Sequence, residues 1–112
     1  MVVGIARVTL FVAGSLSLKD KRTVVRRVKD LVLQKFDVAI AEVGDQDVYQ
    51  RAVLGLAVVG NDARHVSSVL DAALDIVRAK AEVLDVEREI QTFSDGDPLK
   101  AGEPPYKHWE PK

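Results

Sequence analysis

Apolar and polar residues alternate along the chain in two distinct rhythms, and the switch between them divides the first 92 residues into six elements. Residues 2 to 13 are rich in Val, Ile, Leu and Phe and stop at Gly14-Ser15, which predicts a strand closed by a turn. Its even positions Val2, Ala6, Val8, Leu10 and Val12 make an apolar face, whereas Val3, Ile5, Arg7, Thr9 and Phe11 make a mixed one. From Ser17 to Phe36 the period becomes helical: at 100° per residue Val24, Val28, Leu31 and Val32 share a side. Ser17 followed three residues later by Asp20 predicts a capping box at the start of that helix.

After Phe36 the alternation returns. Val38 and Ile40 fall on one face and Ala39, Ala41 and Val43 on the other, giving a second strand. Gly44-Asp45-Gln46-Asp47 reads as a turn, followed by a long strand from Val48 to Val59 whose inward set is Ala52, Leu54, Leu56 and Val58. Gly60-Asn61-Asp62 then introduces a second helix, capped by Asn61 or Asp62, with Val66, Val69, Leu70, Ala73 and Val77 at core spacing. The final strand, Val83 to Ile90, is expected to turn Leu84, Val86 and Ile90 inward and Asp85, Glu87 and Glu89 outward, with Arg88 the exception on the inner side.

Strand, helix, strand, strand, helix, strand predicts an α+β domain of ferredoxin-like split βαβ type: a four-stranded antiparallel sheet with two helices on one face, residues 1–92. The last strand should run beside the first, which brings Arg7 opposite Glu87 or Glu89. Residues 93–112 hold all four prolines and the single tryptophan and are expected to form a tail that carries Tyr106 and Trp109.

Charge changes the picture in one place. The chain as a whole is −1, which argues against a uniformly basic nucleic-acid binder. Yet seven Lys and Arg against two Asp give Ser17 to Phe36 a net charge of +5, leaving −6 for the remainder. Lys19, Arg22, Arg26 and Lys29 line up opposite the apolar side of the first helix. With Lys21, and with Ser15 and Ser17 at the helix start, they form the candidate RNA-phosphate site, because phosphates call for dispersed positive charge and directional donors. The competing reading is a solvated helix face.

Three stretches, SLKDKR at 17–22, AEVGDQDVYQRAVLGLAVVGND at 41–62 and DVEREI at 85–90, resemble the signature segments of the YlxP-like family of small bacterial proteins. The resemblance covers residues 1 to about 92 and implies a ferredoxin-like fold. Through the frequent placement of the family's genes near those of translation and transcription factors, it also implies a link to the ribosome or RNA. It transfers no catalytic residue.

Other chemistries fare less well. The open sheet face offers Phe11 as its only aromatic, too few for base stacking in the manner of an RNA-recognition motif; it suits a homodimer interface better. Gln46, Tyr49, Gln50 and Arg51 form a candidate recognition tip, and the carboxylates near them are read as turn chemistry rather than a Mg²⁺ site. His65 and His108 have no evident catalytic partner, and the chain lacks phosphate-loop glycine spacing and any cysteine. The expectation is therefore a cytoplasmic, non-enzymatic protein without cofactor, metal, membrane span or small-molecule substrate, associated with RNA or the ribosome, with a sheet-face homodimer as the alternative.

Overall fold

In the computed structural model, which describes residues 1–94, the order is β1 (Val2–Phe11), α1 (Leu18–Lys35), β2 (Ala39–Gly44), β3 (Arg51–Gly60), α2 (Ala63–Lys80) and β4 (Glu82–Thr92). The four strands form one antiparallel sheet in the order β2-β3-β1-β4. Both helices pack on one face, as two right-handed crossovers require. The core lies between: Val2, Ala6, Val8, Leu10 and Val12 from β1 and Ala52, Leu54, Leu56 and Val58 from β3 are all buried, in line with their alternation. Gly4 completes the inner row of β1, since a Cβ there would lie 2.6 Å from Val66 Cγ1 and 2.8 Å from Leu70 Cδ1. Its bare backbone lets α2 sit down on the sheet.

Both helices start at the expected caps. Ser17 Oγ accepts from Asp20 N at 3.1 Å, and Asp20 Oδ2 reaches back to Leu16 N at 3.1 Å, one residue earlier than a capping box would have it. Gly14, with φ of 76°, turns the chain from β1 into this cap in a conformation that disfavours a side chain. Asp62, rather than Asn61, caps α2 by accepting from Arg64 N at 2.8 Å.

Two packing details differ from the sequence expectation. The buried seam of α1 is Lys21, Val25, Val28 and Val32; Val24 and Leu31 flank it, half-buried, because the helix is rotated to bring Lys21 inward. On β4 the register slips between Thr9 and Leu10, so that Leu10 pairs with Val83 and Leu84 becomes the extra residue of a β-bulge. Val83 consequently packs against the core with Val86 and Ile90, and Leu84 is exposed. The bulge reverses the alternation that the sequence implies for Leu84.

The predicted pairing of Arg7 with Glu87 is present across β1 and β4, at 2.7 Å from Nη2 to Oε1. That hydrogen bond, followed by the charge of Glu87 and more weakly that of Asp85, holds the Arg7 guanidinium above its ordinary pKa. Arg88, on the helix-facing side, is satisfied by α2: its guanidinium pairs with Asp71 and donates to the carbonyl and hydroxyl oxygens of Ser67. β4 ends against the chain start, with Phe93 N donating to Met1 O at 2.8 Å. The rest of the expected tail, including Tyr106, His108 and Trp109, lies outside the described residues.

Candidate nucleic-acid interface

The expected cationic site separates into two populations that point in opposite directions. Lys19, Arg22 and Arg26 are exposed and Lys29 is half-buried along one flank of α1, and none of them is ion-paired among the described residues. Arg27 is exposed and unpaired in the same sense, and with Arg26, Thr23, Asp30, Leu31 and Gln34 it lines a shallow hollow on the outer surface of the helix. The positive potential of this flank is therefore offered to solvent rather than spent on internal acids.

Lys21 is the correction. Its side chain is 1% exposed, and Nζ donates to the carbonyls of Asp45, Gln46 and Arg51 at 2.8, 3.2 and 3.3 Å. Glu42 Oε2 lies 2.9 Å from the same nitrogen. That oxygen is buried and lies outside hydrogen-bonding geometry, so its contact with the ammonium is one of charge. Glu42 thus balances the charge while the carbonyls orient it, a combination that offsets the cost of removing an ammonium from water. Lys21 has no reach left for a phosphate and leaves the candidate set.

The two serines contribute less than expected. Ser15 is 3% exposed and its hydroxyl donates to Ser17 O at 3.1 Å, so its proton is used inside the turn. Ser17 Oγ serves as the cap acceptor, leaving its own proton free to donate outward.

What Lys21 loses as a ligand it gains as an anchor. Its three carbonyl bonds tie the β2–β3 loop to the first turn of α1, so the candidate tip and the start of the cationic flank occupy the same end of the fold. Further bonds shape the loop. Asp45 adopts φ of 54°, Val48 N donates to Asp45 O at 3.0 Å, Gln46 Nε2 donates to Glu42 O at 3.3 Å, and Val12 N donates to Gln50 O at 2.8 Å. Arg51 lies 3.8 Å from Asp45, a loose pair at the surface. Gln46, Tyr49, Gln50 and Arg51 are all exposed on this loop. Tyr49 and Val48 stand out from it at 43% and 45% exposure, and Leu16 is exposed in the neighbouring β1–α1 turn. Sequence reasoning grouped these four residues at one turn but missed the lysine that anchors it, although a lysine four residues before Val25 and seven before Val28 carries the signal of a core position.

Among the described residues, no three His, Asp or Glu side chains are grouped to hold a metal ion, and no helix is long and apolar enough to cross a membrane. His65 is exposed near the start of α2.

Comparison with known proteins agrees with the fold and with the signature stretches. The chain is 32% identical over 81 residues to the uncharacterized protein YlxP of Bacillus subtilis (strain 168), a match that spans 72% of this chain and 88% of that one. Among solved structures it is similar to a de novo designed ferredoxin-fold protein, LFR1 1, with a TM-score of 0.50 and 13% identity over 87% of this chain and 90% of that one. A putative chlorite dismutase is similar at a TM-score of 0.50 and 12% identity; the match covers 93% of this chain and 49% of that protein. These two likenesses speak for the fold alone. The model of the family described as "Protein of unknown function (DUF503)" matches residues 3–88, and to that family this chain belongs.

Proposed function

We propose that the protein is a non-enzymatic accessory factor that associates with RNA, free or within the ribosome, by holding phosphates against the exposed flank of α1. The observation that carries this reading is the row of Lys19, Arg22, Arg26, Arg27 and Lys29 on one helix, none of them paired with an acid among the described residues; Lys35, Arg64 and Lys80 are likewise unpaired there but form no such row. A helix with such a row of cations bears mutual repulsion, tempered by Asp30 in the hollow beside Arg26 and Arg27, and an external polyanion relieves what remains. The phosphate contacts fix position and carry no sequence preference of their own.

If about four phosphates are neutralised, the logarithm of the affinity for a single-stranded RNA falls with the logarithm of salt at a slope near about −3. Replacing Arg22 and Arg26 together by Glu abolishes binding and leaves the urea midpoint nearly unchanged, since both side chains are exposed. A double variant that still binds RNA and co-sediments with ribosomes removes the proposal.

A second reading rests on the open sheet face, where Ile5, Val43 and Val59 are exposed beside Ala39, Ala41, Gly55 and Ala57. A homodimer closing over this face would bury them. Sedimentation velocity tests it: a monomer at high micromolar concentration removes the dimer.

A further inference from the structure

The sheet face turned away from the helices is not uniform. Its floor is made of short side chains, Ala39 and Ala41 of β2 beside Gly55 and Ala57 of β3, and Ile5, Val43 and Val59 stand exposed around it. Along β4 the same face changes character. Asp85, Glu87 and Glu89 lie opposite Thr9, Arg7 and Ile5 in the ladder, so one margin of an apolar surface is a row of carboxylates. Among the described residues only Glu87 of the three has a cation, Arg7. A shallow hollow of about 380 Å³ opens over this boundary, lined on the open side by Ile5, Arg7, Glu87 and Glu89. An occupant of the face therefore needs flat apolar groups for the floor and cations for the margin.

A second copy supplies the first requirement and not the second. Among the described residues the cations of this face are Arg7 and Arg51, each already beside an acid, so two fully overlapped copies set the β4 carboxylates against one another or over the partner's apolar floor. The chain's own residues 95–112, which lie outside the described residues, supply both: beyond Pro98 they hold Leu99, Tyr106 and Trp109, with Lys100, Lys107 and Lys112 against Glu103 and Glu110. They also start in the right place. Met1 N donates to Phe93 O and Phe93 N to Met1 O, so the segment departs from the end of the face that holds Val3 and Val59. Asp95-Gly96-Asp97-Pro98 is a turn sequence that permits reversal. At about 3.3 Å per residue the stretch from Ser94 to Trp109 reaches up to about 50 Å, against about 14 Å across four strands and about 33 Å along them. Pro104-Pro105 cannot donate to a ladder, which bars this stretch from extending β4 as a fifth strand, and favours a polyproline course whose three-residue period sets Tyr106 and Trp109 on one side. We infer that residues 99–112 fold back over the open sheet face, with Tyr106 and Trp109 on the floor around Ile5, Ala57 and Val59 and Lys107 toward the β4 carboxylates. Such a strap excludes the sheet-face homodimer and leaves the cationic flank of α1, on the other side of the sheet, uncovered; it stands whether or not that flank binds RNA.

Trp109 is the chain's single tryptophan, so selectively excited fluorescence of the full chain reports on its surroundings alone. Expected for wild type are an emission maximum to the blue of free N-acetyltryptophanamide and acrylamide quenching several-fold weaker, both unchanged on dilution while sedimentation velocity shows a monomer. Ile5→Glu with Val59→Glu should send the emission to the red and restore quenching, with circular dichroism melting showing the fold intact, since both side chains are exposed. Tyr106→Ser, which alters no residue of the sheet, should produce a smaller change in the same direction and keeps the test decisive should the double variant unfold. Leu33→Glu, at an exposed position of α1, should change neither signal. A wild-type Trp109 as red and as quenchable as the free indole overturns the inference, and so does a wild-type spectrum from the folded double variant or from Tyr106→Ser. A red shift on Leu33→Glu instead puts the indole on the helix side and overturns it. A blue shift that disappears on dilution as dimers dissociate overturns it as well and assigns the face to a second copy.

Discussion

The two helices of this domain are built to one plan and differ at one telling position. Each has 18 residues, each opens on a side-chain cap, and each buries its fourth, eighth, eleventh and fifteenth residues: Lys21, Val25, Val28 and Val32 in α1, and Val66, Leu70, Ala73 and Val77 in α2. At the fourth residue α2 has Val66, pressed over Gly4 and Gly60, and α1 has a lysine. A valine there obtains stability from apolar contact alone. A lysine obtains it only if acceptors are brought to it, and the β2–β3 loop brings three carbonyls and one carboxylate. The same seam position thus glues α2 to a sheet and α1 to a loop. Outside the seam the contrast continues, since α2 carries Asp71 and Asp75 paired with Arg88 and Arg78 while the flank of α1 keeps its cations unpaired among the described residues.

The sharpest way to break the comparison is to exchange the two residues. Val66→Lys places an ammonium over bare glycines with no acceptor built for it, and should cost more than about 4 kcal/mol, unfolding the domain in urea titrations or leaving it unable to fold. Lys21→Ala removes the cation, strands the buried Glu42 Oε2 and takes a donor from three carbonyls, of which Asp45 O keeps Val48 N, an expected loss of about 3–5 kcal/mol by the same measurement. Lys21→Met with Glu42→Gln gives α1 the apolar seam of α2 without a lone charge and should lie within about 2 kcal/mol of wild type. If Lys21→Ala proves as harmless as the methionine pair, the anchor is not what holds the loop.

A smaller effect is expected where α2 meets the sheet. Gly4→Ala drives a methyl group against Val66 and Leu70, whose side chains must move aside, at about 1–3 kcal/mol. Smallest of all is Arg7→Met on the open face. The Arg7–Glu87 pair is exposed on both sides, so the urea midpoint should stay within the scatter of repeat measurements, and more closely so at high salt. The raised pKa of Arg7 adds stability that is fully present below the ordinary arginine value and is lost only as pH climbs through the higher folded value. Between about pH 5 and 9 that group therefore contributes no slope to the stability curve.

Much of this was legible before any coordinates. Period-two alternation in β1 and β3, the two caps, and the apolar seam of α2 each depend on neighbours within one or two turns, and local rules read them correctly. The opposition of Arg7 and Glu87 followed as well, because topology and register leave it little freedom. The candidate site was legible in part: the flank of Lys19, Arg22, Arg26 and Lys29 and the tip of Gln46, Tyr49, Gln50 and Arg51 are exposed or nearly so, as their polar spacing suggests.

What the amino-acid order determined by itself was therefore the list of elements and the faces they turn to one another, since hydrophobic period is a local property. Tertiary structure alone decided the fate of individual residues that local pattern leaves ambiguous. It turned Lys21 inward, because acceptors twenty-one to thirty residues away could surround it, and turned Leu84 outward, because a bulge opposite Thr9 and Leu10 shifted its phase. Arg88 found Asp71 and Ser67 on a different element. In each case the deciding interaction is made between segments distant in sequence, and a charge or a phase shift is resolved only when those segments meet.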